Sequence, residues 1–232
     1  MDTAMRADIL QVRAPALNFY VLRGAAGLYL LDAGFIGGRF LLRRALRRRG
    51  WEREPIRGII VTHGHLDHIL NVATIAQETG AWIAAPRLDS DHYAGRPHYH
   101  GWAHLTGCLE AIGKPVLSFH PFVPNLLLDD GDSIDVWHGL RAVHLPGHTR
   151  GHMGFYCERL RLMFSADLFA SYRGFAHFPP NIFNSVPEQL PGSATIALGF
   201  DLDGILPNHC DHATPEEHLR RLRELQRESA RS

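Results

Sequence analysis

The chain has 232 residues, 45% of them hydrophobic, and its 24 basic and 24 acidic side chains cancel to no net formal charge at pH 7. That length and apolar content suit one large domain with a full core and argue against a disordered chain. The charge balance gives no basic signal for nucleic acid, and three widely spaced cysteines, Cys108, Cys157 and Cys210, argue against a disulfide framework or a cysteine-based zinc site.

The N-terminal residues Met1 to Asp8 do not lead into a long apolar run, so no signal peptide is expected. No stretch approaches the roughly 18 apolar residues that a membrane span needs. The expectation is a soluble, cytoplasmic protein with neither membrane nor nucleic-acid partners. The oligomeric state cannot be read, and a homodimer is left open. Histidine is the unusual component, at 16 residues.

In chain order, Ile9 to Val12, Leu17 to Leu22 and Leu28 to Leu31 read as strands. Gly37-Gly38 opens a helix over Arg39 to Arg49, with Phe40, Leu41, Leu42, Ala45 and Leu46 on its apolar side and five arginines on a solvated face. Gly58 to Thr62 is a β-branched run and predicts a buried strand. A helix from about Asn71 to Thr79 ends at Gly80, and a strand follows over Ala81 to Ala85.

Residues 87–128 fit neither period. They hold His92, His98, His100, His104 and His120 with Tyr93, Tyr99 and Trp102, and predict a partly helical cover on one face, either a lid or a surface excursion. Strands resume at Ile134 to Trp137, Arg141 to Leu145, Met153 to Cys157 and Arg161 to Ser165, with His138-Gly139 as a hairpin turn. Gly204 to Leu206 is the last strand. Thr214-Pro215-Glu216-Glu217 is a capping box with proline at the first helical position, and Leu219, Leu222 and Leu225 line one side of the closing helix. Ser229 to Ser232 are expected to fray. There is no internal repeat and no linker, which predicts one domain over 1–232.

Thr62-His63-Gly64-His65-Leu66-Asp67-His68 directly follows a predicted buried strand. His63 and His65, two apart on extended backbone, point the same way and suit one cation. Asp67 and His68 turn away as a helix begins and can reach a second. Nitrogen and oxygen donors of this kind suit zinc, manganese or iron. Pro146-Gly147-His148-Thr149 ends another predicted strand, and His148 would complete a three-histidine set. Asp167, after an apolar strand, is the carboxylate needed to bridge two cations about 3.5–4 Å apart. His209, just past the last strand, would join Asp67 and His68, with His212 as its alternative. His152 reads either as a residue that orients the loop or as a turn residue. His144 reads as strand core, and Cys210 is left out because neighbours alternate in direction.

These motifs in this order, from about residue 15 to 215, resemble the metallo-β-lactamase superfamily. The aspartate at the bridging position makes the chain look most like its glyoxalase II-type branch. The resemblance implies an α/β fold, an αββα sandwich of two mixed β-sheets flanked by helices, with metals at one sheet edge. It also implies a ligand set of His63, His65, Asp67, His68, His148, Asp167 and His209. Departures bear on the substrate. Ile69-Leu70-Asn71 stands where a glycine-containing turn is common. The chain stops soon after His209, so the helical domain that binds glutathione thioesters in longer glyoxalase II enzymes is not expected. Ala170 occupies the place of a lactonase-type tyrosine, with Tyr172 nearby but displaced.

The expected function is a binuclear metal-dependent hydrolase of a small-molecule ester, thioester, lactone or related substrate. Two divalent ions, Zn2+ first and Mn2+ or Fe2+ as alternatives, would generate a hydroxide nucleophile that Asp67, the catalytic candidate, orients. The alternatives are a mononuclear iron persulfide dioxygenase, a β-lactamase, or a binding module with a vestigial site. Residues 87–128 and Tyr172 to Asn184, with Phe175, Phe178 and Phe183, are expected to choose the substrate.

Overall fold

A computed structural model describes residues 7–15, 17–99 and 103–230. His100 and Trp102 of the histidine-rich segment, and Arg231 and Ser232 of the tail expected to fray, lie outside the described residues.

The first sheet runs in the order β1 (Ile9–Val12), β2 (Phe19–Gly24), β3 (Gly27–Leu31), β4 (Ile56–Ile60), β5 (Trp82–Pro86) and β6 (Leu126–Leu128). Its first three strands are antiparallel and the remainder parallel. The parallel part needs helical crossovers, supplied by α1 (Gly38–Arg49) between β3 and β4 and by α2 (Leu66–Ile69) and α3 (Val72–Thr79) between β4 and β5. Then α4 (Ser90–Tyr93) and α5 (His104–Val116) fill the connection to β6. The second sheet places β7 (Ser133–Ile134), β8 (Leu140–His144), β9 (Met153–Cys157) and β10 (Leu162–Ala166) in antiparallel sequence. A short hairpin, β11 (Ala170–Tyr172) and β12 (Phe175–His177), and α6 (Leu190–Leu198) precede β13 (Gly204–Pro207), which pairs parallel with β10. The closing helix is α7 (Pro215–Ser229), capped by Thr214, whose side chain accepts from the Glu217 N–H.

Period-two alternation explains the layers. In β2 and β3, Tyr20, Leu22, Tyr29 and Leu31 turn to a core shared with Phe155, Leu162 and Phe164 of the other sheet. Their neighbours Phe19, Val21, Leu28 and Leu30 turn to a second core with Leu42, Leu46, Val72 and Ile75 of α1 and α3. Met163 and Ile205 face a third core with Ala194, Ala197, Leu219 and Leu222 of α6 and α7. Both faces of both sheets are thus covered, which is why the strands read as continuous apolar runs. The architecture is an αββα sandwich.

Several elements differ from the sequence reading. The strand expected to reach Trp137 stops at Ile134, because Trp137 takes a left-handed φ of 57° before the Gly139 turn. His144 is not core: it ends β8 half-buried, its ring nitrogen on the Arg150 carbonyl. The described residues of the 87–128 excursion form α4, α5 and β6. Helix α5 is inverted, with Thr106, Glu110 and Lys114 buried and Leu105, Leu109, Ile112 and Val116 exposed.

Buried His218 on α7 provides a test of acid stability. The Ser171 hydroxyl accepts from Arg221 and meets His218 Nδ1 at 2.7 Å, so it donates to a neutral imidazole. Burial pulls the His218 pKa down to about 4, with Arg221 reinforcing and Asp211 opposing. Its contribution is complete above the unfolded value of about 6.5 and is lost as pH falls toward 4. We expect this group to remove about 2 kcal/mol of stability by pH 5. In urea melts at pH 7 and pH 5, His218→Gln should flatten that drop; an equal drop in both proteins would assign acid sensitivity elsewhere.

Candidate metal centre

The sequence-predicted residues meet at one edge of the sandwich. His63, His65 and His148 form one group, Asp67, His68 and His209 a second, and His63, His68 and Asp167 a third. Within each, one donor atom per residue lies within 4.8 Å of the others. Asp167 Oδ2 stands between the groups, 3.3 Å from His68 Nε2, 3.3 Å from His148 Nε2 and 3.0 Å from His209 Nε2. A register shift between Phe164 and Ala166, with Ala166 at φ 46°, ends β10 just before this carboxylate. His212 is absent from these groups. Cys210 turns to Tyr20, Asn18 and Gln11, as the alternation of directions predicts.

Hydrogen bonds on the outer side set the tautomers. Thr62 Oγ1 donates to Asp32 Oδ2 and therefore accepts from His63 Nδ1, leaving the His63 Nε2 lone pair free. His148 Nδ1 donates to Asn184 Oδ1, and His68 Nδ1 donates to Asp32 Oδ2. Asp32 is fully buried and also accepts from Thr62 N and Asn208 Nδ2. Asp89 joins the loop that carries His63 and His65 to the loop that carries His148: it accepts from Gly64 N, Thr149 Oγ1 and Gly151 N. His152 orients Asp167, because its Nδ1 donates to the Leu145 carbonyl and its Nε2 accepts from Asp167 N. Burial holds the His152 pKa near 3, so that acceptor stays unprotonated. Asn71 explains the missing glycine turn: its amide donates to the Ala33, Gly34 and Phe35 carbonyls and ties that loop to α3. Asp32, Thr62, Asp89 and Asn184 were not singled out from sequence.

The inner atoms fit cations. His63 Nε2, His68 Nε2 and Asp167 Oδ1 are buried without a hydrogen-bond partner, whereas buried polar atoms are ordinarily paired, and His65 turns Nδ1 to His148 Nε2 at 2.9 Å. Burial, reinforced by the neighbouring histidines, lowers the pKa values of His63 and His65, which suits neutral nitrogen donors. Burial is the largest influence on His68 and His209 and pulls both down, but the carboxylates around them together reverse it, Asp167, Asp67 and Asp32 for His68 and Asp167 and Asp67 for His209, and hold both pKa values up. Burial raises Asp167, and His209 and His68 reverse that, keeping it ionised.

A cavity of about 540 Å³ opens beside the cluster. Tyr172 lines it; burial, with Cys210 and Asp167 adding to it, pushes the phenol up to about 12, so it remains a donor. Phe183 also lines it, while Phe178 packs on the third core and Phe175 is exposed. From the 87–128 segment, α5 forms one wall.

A fold of two sheets between helices, with such a cluster at one edge, defines a family, and the chain belongs to the metallo-beta-lactamase superfamily, whose model matches residues 14–227. More particularly, it is 29% identical over 167 residues to the hydroxyacylglutathione hydrolase of Aeromonas hydrophila, covering 70% of this chain and 50% of that one. It is 30% identical over 167 residues to the enzyme of that name from Pseudomonas putida, covering 70% and 49%. The chain thus spans about half the length of the curated relatives it matches. Among solved structures it resembles a metallo-beta-lactamase family protein of Thermus thermophilus, with a TM-score of 0.73 at 20% identity over 96% of this chain and 79% of that one. It also resembles a subclass B3 metallo-beta-lactamase of Bradyrhizobium japonicum, with a TM-score of 0.71 at 19% identity over 97% and 90%. No helix among the described residues is long and apolar enough to cross a membrane.

Proposed function

We propose that this chain is a metal-dependent hydrolase of a small-molecule ester, thioester or lactone, with its site in one domain. His63, His65 and His148 would hold one divalent cation and Asp67, His68 and His209 a second, with Asp167 between them. The observation that carries this reading is the convergence of these seven side chains in one cluster, where buried donor atoms lack partners and five of the seven line a pocket. The relatives named hydroxyacylglutathione hydrolase support a hydrolytic reaction at a carbonyl. When bound, two such cations supply Lewis acidity and bring a water's pKa toward neutrality.

The residues themselves do the rest. Thr62, Asp32 and Asn184 hold His63, His68 and His148 with Nδ1 as the donor and Nε2 directed inward. Asp67, the most open carboxylate of the cluster at 32% side-chain exposure, would orient the nucleophile and take its proton at a carboxylate oxygen. The Tyr172 hydroxyl, at the cavity wall, would donate to a substrate oxygen.

Metal content is the direct test. Protein purified without added metal or chelator is expected to carry about two zinc or manganese ions per chain by plasma mass spectrometry. About one iron per chain would favour a mononuclear oxygenase, and no metal after reconstitution would sink the hydrolase.

A further inference from the structure

We infer that the non-reacting body of the substrate is uncharged and apolar, a medium-chain acyl group on a neutral alcohol or thiol; this rests on the hydrolase reading above. The cavity has two unlike ends. His65, Asp67, His148, Asp167 and His209 border the reacting end. Phe35, Leu66, Leu109, Leu117, Phe169 and Phe183 supply most of the other walls. Its volume of about 540 Å³ lies within the range of small-molecule sites.

Charge separates this cavity from a glutathione site. A glutathione thioester carries a carboxylate at each end of its peptide, and a carboxylate leaving water needs a cation or several donors. Among the described residues that line the cavity there is no lysine or arginine. The charged side chains there, apart from histidine, are Asp67 and Asp167, which the proposed cations would neutralise, and Glu110, which is paired with Lys114, so none of them offers a substrate carboxylate a partner. The chain has a single lysine, Lys114. It is buried on α5 with Nζ 3.2 Å from Glu110 Oε2, so its charge is already matched. Glu110 in turn accepts from Leu66 N at the start of α2, which fixes it in place. His177 lines the wall but turns Nδ1 to the Phe178 carbonyl. Apolar contact is what this surface offers, and each added methylene buried there should raise kcat/KM about 4-fold.

The test uses metal-loaded full-length protein. Acyl groups from acetyl to octanoyl are placed on N-acetylcysteamine, a neutral thiol, and on glutathione, and hydrolysis is followed by thiol release. We expect kcat/KM to climb with acyl length and the neutral series to exceed the glutathione series at least about 10-fold. A cation installed by Phe183→Arg, at a partly exposed wall position, should raise the glutathione-to-neutral ratio about 10-fold. Octanamide, which is not turned over, is titrated calorimetrically in parallel and should bind with a negative heat-capacity change. Preference for glutathione esters, or no gain with chain length, overturns the inference and leaves the hydrolase standing. Octanamide binding without turnover of any ester overturns the hydrolase and leaves the apolar site. Absence of octanamide binding alongside turnover again overturns the inference.

Discussion

Replacing Asp32 by Asn is expected to weaken metal affinity about 10- to 100-fold, the usual effect of removing a carboxylate behind a metal-binding histidine. The Asp32 Oδ2 accepts from Thr62 Oγ1, His68 Nδ1 and Asn208 Nδ2, and Oδ1 accepts from Thr62 N. An amide must set its NH2 against donors in either orientation. His68 and, through Thr62, His63 then lose the bonds that aim their Nε2 lone pairs at the cluster. The metal-free protein should also lose about 3 kcal/mol, since buried donors are left unpaired. Asp32 sits at φ 65°, and asparagine tolerates that region, so backbone strain does not confuse the result. Competition with a chelating dye gives the affinity and urea melts of metal-free protein give the stability. Unchanged affinity would mean that the imidazoles are aimed by packing alone.

The second large effect concerns Asp67. On the proposed function, Asp67→Ala should cut kcat/KM by about 10²- to 10⁴-fold, the range for removal of a positioned acid or base. Its partly exposed side chain makes few bonds beyond the 3.7 Å approach to His68 Nε2. The melting temperature of the metal-free protein should therefore move little. Asp67→Asn keeps the shape and discards the base, so it separates the two duties. If Asn retains metal but not turnover, proton handling is the larger duty. Turnover at the original rate in the alanine variant would remove Asp67 from the machinery.

The ligand motif could be read from sequence because its members are local: His63 to His68 sit where a buried strand hands over to a helix, and spacing alone fixes their directions. Asp32 could not. It follows an apolar strand and looks like a turn residue, and its partners Thr62, His68 and Asn208 lie 30, 36 and 176 residues away. Asp89 is the same case, reaching 25, 60 and 62 residues along the chain. Buried carboxylates of this kind are set by tertiary contact, not by local pattern. The sandwich itself followed from the family resemblance that the motifs carry, because strands apolar on both faces show no alternation that would assign them to a layer. Helix α6 was missed because Pro191, Gly192 and Ser193 look like loop, yet Pro191 occupies the first turn, where no backbone donor is required. Helix α5 escaped the helical pattern because its polar side faces inward.

That inversion has a practical result for chemical labelling. A reagent that acylates lysine side chains finds one target in this molecule, Lys114, and it is shielded while α5 stays packed. The reagent reaches Nζ only when the helix lifts away and the contact with Glu110 opens. Mass gain at that position over time is therefore a clock for the opening of α5, read without any introduced probe. A substrate that fills the cavity beneath the helix should make the clock run slower.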